Sequence, residues 1–203
     1  MRILTTGMLV IAVAAAVVVR VKADDKKKSP ELDPQALEKL FAEFAKPGEA
    51  HESFKQMVGK WDTESKNYMV DMENPSVTQG TATFRLLMGG RYLQQDLRGE
   101  YEGQKFEGMG ISGFDNATKK YVGICIDNYG TGIMHSEGEF DPETDTMTEI
   151  AETSSPLGKM RMKMVAKHIN DDKFTFSMYL LGPDDEEQKH MVITYTRAKK
   201  KSE

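Results

Sequence analysis

From Lys60 onward, apolar and polar residues alternate with a period of two, in short runs separated by turn residues. Such alternation puts one side of a run against a core and the other in water, which is the mark of an antiparallel strand. The runs are Trp61–Val70, Thr81–Met88, Arg91–Arg98, Phe106–Phe114, Tyr121–Asn128, Ile133–Phe140, Met147–Thr153, Lys159–Ile169, Phe174–Leu181 and Lys189–Arg197. Gly89-Gly90 between the second and third predicts a two-residue hairpin, because glycine tolerates the positive φ of the primed turns. No connection is long enough for a parallel crossover helix, so neighbouring strands must be antiparallel. The predicted fold class is all-β, an antiparallel up-and-down barrel of about ten strands, because closure removes the bare edges of an open meander. A two-sheet sandwich is the alternative for so many short strands.

Ahead of the strands the period changes. Asp33 followed by Pro34 reads as a helix N-cap with proline at the first helical position. Leu37, Leu40, Phe41 and Phe44 then fall on one helical face, and a second helix is expected over about 49–58 with Phe54, Met57 and Val58 on one side. Helices this short do not stay folded alone, so residues 33–58 are expected to form a short N-terminal helical cap over one mouth of the barrel. Earlier still, Ile3 to Val19 carries no charge, Arg2 precedes it and Val21-Lys22-Ala23 follows. That is the layout of a secretory signal peptide over residues 1–23, with a polar tether over 24–32. An uncleaved membrane anchor over 3–19 is the alternative reading. Either way the barrel domain, 59–203, is expected outside the cytoplasm, periplasmic or secreted.

Charge narrows the partners. Removing Arg2, Arg20 and Lys22 with the signal leaves 24 basic against 32 acidic residues, a formal charge of −8. Nucleic acid and anionic membrane surfaces need a basic face, so neither is an expected partner. The one cysteine, Cys125, lies in the apolar run Val122–Ile126 and reads as a buried, inert thiol. Of the four histidines, none has a second histidine or a cysteine at metal-ligand spacing, so no metal site is expected. His168 and His190 would be the candidates for a haem ligand, but each reads as an end-of-strand surface histidine, and no cofactor is expected. No nucleophile elbow, phosphate loop or paired-carboxylate signature occurs. Asn116-Ala117-Thr118 matches a glycosylation acceptor, read here as turn chemistry.

The candidate ligand contacts come from strand faces. Lys159 to His168 alternates basic residues with Met160, Met162 and Met164, and Phe176 belongs to the same pattern on the next strand. Methionines facing inward either fill irregular core space or form a pliable wall for an apolar ligand. Tyr92 and Gln94 share one strand face with Asp96 and could line an interior. Asp127 and His135, with Glu137, could meet at one rim. The function expected is non-catalytic binding of a small apolar or amphipathic ligand. A structural or interaction domain with a filled core is the second reading, and a hydrolase or isomerase using the polar rim the third.

Two sets of residues carry a resemblance. Gly59-Lys60-Trp61 opens the first strand and Arg197 closes the last, which resembles the calycin barrels such as lipocalins. That resemblance implies Arg197 lying over the Trp61 ring and closing one end of the barrel. A wider set resembles the bacterial domain-of-unknown-function family 1579. It includes Gly80-Thr81-Ala82-Thr83, Met88-Gly89-Gly90-Arg91-Tyr92-Leu93, Phe106-Glu107-Gly108-Met109-Gly110, Gly113-Phe114-Asp115-Asn116, Gly130-Thr131-Gly132 and Ile193-Thr194-Tyr195. This resemblance implies a calycin-like barrel and no assigned activity.

Overall fold

The computed structural model describes residues 33–199, apart from 102 and 157. The expected signal peptide and tether lie outside the described residues. Helix α1 spans Pro34–Phe44, with the Asp33 carboxylate accepting from the Gln35 N–H at 3.2 Å. Helix α2, Glu49–Glu52, winds directly into a 3-10 turn over Ser53–Met57, where one continuous helix was expected. Side chains of the barrel take the carbonyls at its end: Trp61 Nε1 donates to Met57 O at 2.8 Å, and Arg197 donates to Gln56 O and Val58 O at 2.8 and 3.0 Å. The turn therefore stops where the barrel supplies donors.

Ten strands follow: β1 (Gly59–Asn67), β2 (Ser76–Leu87), β3 (Tyr92–Tyr101), β4 (Gln104–Asp115), β5 (Lys120–Asp127), β6 (Met134–Asp141), β7 (Thr146–Ser155), β8 (Gly158–Asn170), β9 (Lys173–Leu181) and β10 (Glu187–Arg197). Each pairs antiparallel with its sequence neighbour, and β1 pairs with β10, so the meander closes into a barrel. The sandwich alternative is excluded by that last pairing. Among the described residues no helix is long and apolar enough to cross a membrane.

Registers fix which side chains point inward. Trp61 and Thr63 sit opposite Ala82 and Gly80, which sit opposite Leu97 and Gly99. The same inward face carries Gln95, Gly110 and Cys125 on β3 to β5, and Ser136, Ala151 and Met162 on β6 to β8. Two expectations need correction. The β2–β3 connection is a four-residue turn, Met88–Arg91, because Leu87 pairs with Tyr92. Met88, Gly89 and Gly90 all take positive φ (49°, 68° and 88°), and the Arg91 side chain closes the turn on Met88 O at 3.1 Å. The Gly-Gly pair thus serves a longer left-handed turn.

The second correction concerns α1. It does not cap the barrel. Leu40 and Phe41 are each 62% exposed, and no residue of α1 is buried. Only the chain at its end is fastened: Asn116 donates to Phe44 O and Lys46 O at 2.7 and 3.0 Å, and Arg91 to Ala45 O at 2.9 Å. Asn116, the residue of the glycosylation-like triplet, spends both amide hydrogens there. The capping is done by α2 and the 3-10 turn. Phe54 is buried against Tyr121, and His51 packs edge-on to Phe114 with ring centroids 5.8 Å apart.

Candidate functional site

The end of the barrel under this cap is sealed by aromatic rings. Trp61 packs edge-on against Phe174 at 5.0 Å and Phe84 at 6.4 Å, and Phe174 stacks on Tyr195 at 4.2 Å. Over the outside of Trp61 lies the Arg197 guanidinium, 4.2 Å from the ring centroid. Besides the two carbonyls of the cap, Arg197 reaches Asp171 O at 3.0 Å and the Asp172 carboxylate at 3.2 Å. One side chain therefore ties the cap, β10, β1 and the β8–β9 turn together, as the calycin resemblance implied.

Toward the opposite end, burial falls away. Inward residues near the plug, among them Trp61, Ala82, Phe84, Phe174 and Tyr195, are buried. Beyond them Met134, Met160, Phe176, Met178, Leu180 and Met191 point inward yet remain partly exposed. The inward face of β3 to β5 carries Gly99, Gly108, Gly110 and Gly123. A Cβ built on Gly110 would meet nothing nearer than Ile124 O at 3.7 Å and Gln95 Oε1 at 3.8 Å, so that position has room for a side chain. At Gly108 and Gly123 that place is instead taken by the Phe106 ring at 3.0 Å and by Ser136 Oγ at 2.5 Å.

Polar groups in this interior are few and specific. Gln95 Nε2 donates to Tyr195 Oη at 2.9 Å, and burial pushes the Tyr195 phenol well above its ordinary range. Cys125 faces the same row and is half-buried where a buried thiol was expected; burial, and then the Asp127 carboxylate, push its thiol up. On the β6–β7 wall, Ser136 Oγ donates to Glu149 Oε1 at 3.0 Å. Burial raises the Glu149 carboxyl above the ordinary glutamate value, and the Ser136 hydrogen bond offsets only part of that. A side chain at Gly138 would come within 2.0 Å of Thr148 O, so β6 and β7 approach closely here because position 138 is glycine.

The sign of the Glu149 shift has a measurable consequence. The folded state holds this proton more tightly than the unfolded chain does. Its contribution to stability is therefore complete below the ordinary glutamate pKa and is lost as pH rises through the raised folded value. Glu149→Gln should remove that decline. Denaturant melts at a series of pH values should show the variant gaining on the wild type across this window and holding its advantage above it.

The residues expected from sequence divide cleanly. Met160, Met162, Met164 and Phe176 point inward, and all but Met160 belong to one packed group with Met178 and Leu180. Tyr92 and Gln94 do not line the interior; they lie on the outer face, because Leu93, Gln95 and Leu97 take the inward positions. Gln94 lies flat there, donating to Asp96 Oδ1 at 2.9 Å and Met109 Sδ at 3.2 Å. Asp127 is at the open end, accepting from the Tyr129 N–H, while His135 and Glu137 are on the outer wall. Asp127 and His135 thus share no rim. His168 is held by Asp145 at 2.6 Å beside the closed end. His190 sits at a bulge in β10 with its Nδ1 buried and unpaired, so it is not the surface histidine expected. Among the described residues no group of three His, Cys, Asp or Glu side chains is placed to hold a metal ion.

Sequence reasoning missed Gln95, Tyr195, Ser136 and Glu149. Counting the period outward from Leu93 and Leu97 identifies Gln95. Nothing local flags Glu149, since Ile150 beside it looks like the inward residue.

Solved structures share this architecture. The crystal structure of Rv2717c from M. tuberculosis superposes with a TM-score of 0.54 at 11% identity, covering 76% of this chain and 100% of that one. The S-type phycobiliprotein lyase CPES from Guillardia theta gives a TM-score of 0.50 at 10% identity, with 75% and 94% covered. At such identities the likeness is one of fold. No curated protein matches the chain. The model of the family described as "Protein of unknown function (DUF1579)" matches residues 46–197, which span the cap and all ten strands, and the chain belongs to that family.

Proposed function

We propose that this protein binds a small apolar or amphipathic molecule inside the barrel and does no chemistry on it. The supporting observation is the burial gradient: an aromatic plug at one end, and beyond it inward Met134, Met160, Met178 and Met191 that stay partly exposed. Protein interiors normally pack to the density of organic crystals, so inward apolar side chains left uncovered need another occupant. Strands β5 and β7 support the same reading. Ile124, Ile126 and Ile150 point outward at 40%, 40% and 38% exposure, while Gly123, Cys125 and Glu149 take the inward places. A barrel serving only as a packed scaffold gains by turning those isoleucines in. The phycobiliprotein lyase among the structural neighbours is compatible with small-ligand binding on this fold.

The uncharged stretch from Ile3 to Val19 supports an exported protein, so the ligand would be met outside the cytoplasm. Native mass spectrometry of protein purified from its own host tests the reading. A co-purifying mass, released by organic extraction and restored on adding the extract back, is expected. An apo mass throughout, with no fluorescence rise on titrating N-phenyl-1-naphthylamine, would contradict it.

A further inference from the structure

We infer that the ligand carries a positive charge: an amphipathic amine whose ammonium group pairs with Glu149 while its apolar part lies along the methionine wall. This deepens the binding reading above and rests on it. Glu149 is an inward carboxylate with one polar neighbour, the Ser136 hydroxyl. Its other ladder neighbours are Gly138 and Met164. Next to these lies Gly123, whose absent side chain would stand 3.6 Å from Glu149 Oε1. Among the described residues no lysine, arginine or histidine pairs with it, and desolvation is what dominates its ionisation. A carboxylate in such surroundings is costly unless something neutralises it. Ser136 Oγ fills the place of a side chain at Gly123 and Glu149 itself that of one at Gly138, yet Glu149 stays half-buried at its inward position, so the neutralising group can come from a ligand. Elsewhere the same barrel pairs its carboxylates: Asp172 with Arg197, Glu187 with Lys163, Asp185 with Arg161. Inward Glu149 has no such partner among the described residues.

The open end agrees in sign. Asp71, Glu73, Asp127, Asp184 and Glu186 lie on or beside its connections, and all are exposed. Lys66, Lys105, Lys159, Arg161 and Lys189 stand at the same end at outward register positions, and Lys66 is paired with Glu64, Lys159 with Glu152 and Arg161 with Asp185. An acidic rim concentrates cations at the mouth and repels anions. From Ser155 at that end, Glu149 lies six residues in along β7. At about 3.3 Å per residue this is roughly 20 Å, deep enough for an alkyl chain to lie along Met160, Met162 and Met164.

Three probes of one chain length separate the possibilities: dodecylamine, 1-dodecanol and dodecanoate, each displacing N-phenyl-1-naphthylamine at pH 7. The wild type should prefer dodecylamine over the alcohol by at least tenfold and bind dodecanoate weakest. Glu149→Gln, which keeps shape and hydrogen bonding, should bring amine and alcohol within about threefold without weakening the alcohol. Ser136→Ala is the control that leaves the charge in place, and it should keep most of the amine preference. If amine and alcohol bind wild type equally, or the preference survives in Glu149→Gln, the amine inference is overturned while the binding reading stands. If none of the three probes nor N-phenyl-1-naphthylamine binds, both fall together.

Discussion

Trp61→Ala is expected to lower stability by about 4 kcal/mol, the range for removing a large buried aromatic. For a chain of this size that corresponds to a fall in melting temperature of about 8–16 °C. Trp61 is 2% exposed and touches Phe84 and Phe174, and its indole N–H holds the end of the cap. Its loss opens a cavity in the plug and also frees the Met57 carbonyl. Arg197→Ala should cost less, about 2–3 kcal/mol, made up of the cation–π contact and charge-assisted hydrogen bonds. Because the two side chains touch, the double variant should lose less than the sum of the single losses. Thermal melts of the four proteins give the coupling. Strictly additive losses would mean that the contact between ring and guanidinium contributes nothing.

Gly110→Leu should act on binding instead of stability. The position faces inward at the centre of the glycine wall, with ordinary contact distances around an added Cβ. In an unfilled interior a leucine there buries apolar surface worth up to about 2 kcal/mol, so the melting temperature should hold or rise. In a filled interior the same residue would overpack, at a cost of about 1–3 kcal/mol. The sign of the stability change therefore reports on the space itself, whatever the ligand is. Affinity for N-phenyl-1-naphthylamine should fall at least tenfold, because the leucine occupies the ligand's place. A destabilised variant that still binds the probe would place any pocket elsewhere.

The strand count, the antiparallel order and the closure were legible because each rests on local signals. Turn residues end each run, and Gly59-Lys60-Trp61 with Arg197 marks the two strands that must meet. Inward faces were legible on β8 and β9, where methionine and phenylalanine alternate with charged or small polar residues. They were misread on β3, where Tyr92 and Gln94 look as eligible as Leu93 and Gln95. There the leucines decide, since Leu93 packs against the plug. On β5 and β7 the pattern is inverted: isoleucines face water while a cysteine, a glycine and a glutamate face in. Period-two reasoning assumes a barrel that buries its most apolar face, so an interior shaped for something else defeats it. The apolar stripe of α1 misled in the opposite way. Its periodicity is sound, but hydrogen bonds from Asn116 and Arg91 fasten the chain at its end, and none of its residues is buried.

Whether the barrel encloses open space can be seen directly in crystals pressurised with xenon, which enters apolar cavities large enough to hold it. Xenon density among Met134, Met160, Met178 and the backbone of Gly110 is the expected result, and it should vanish in Gly110→Leu. Ordered side chains in full contact across that region, with no xenon in the wild type, would contradict it.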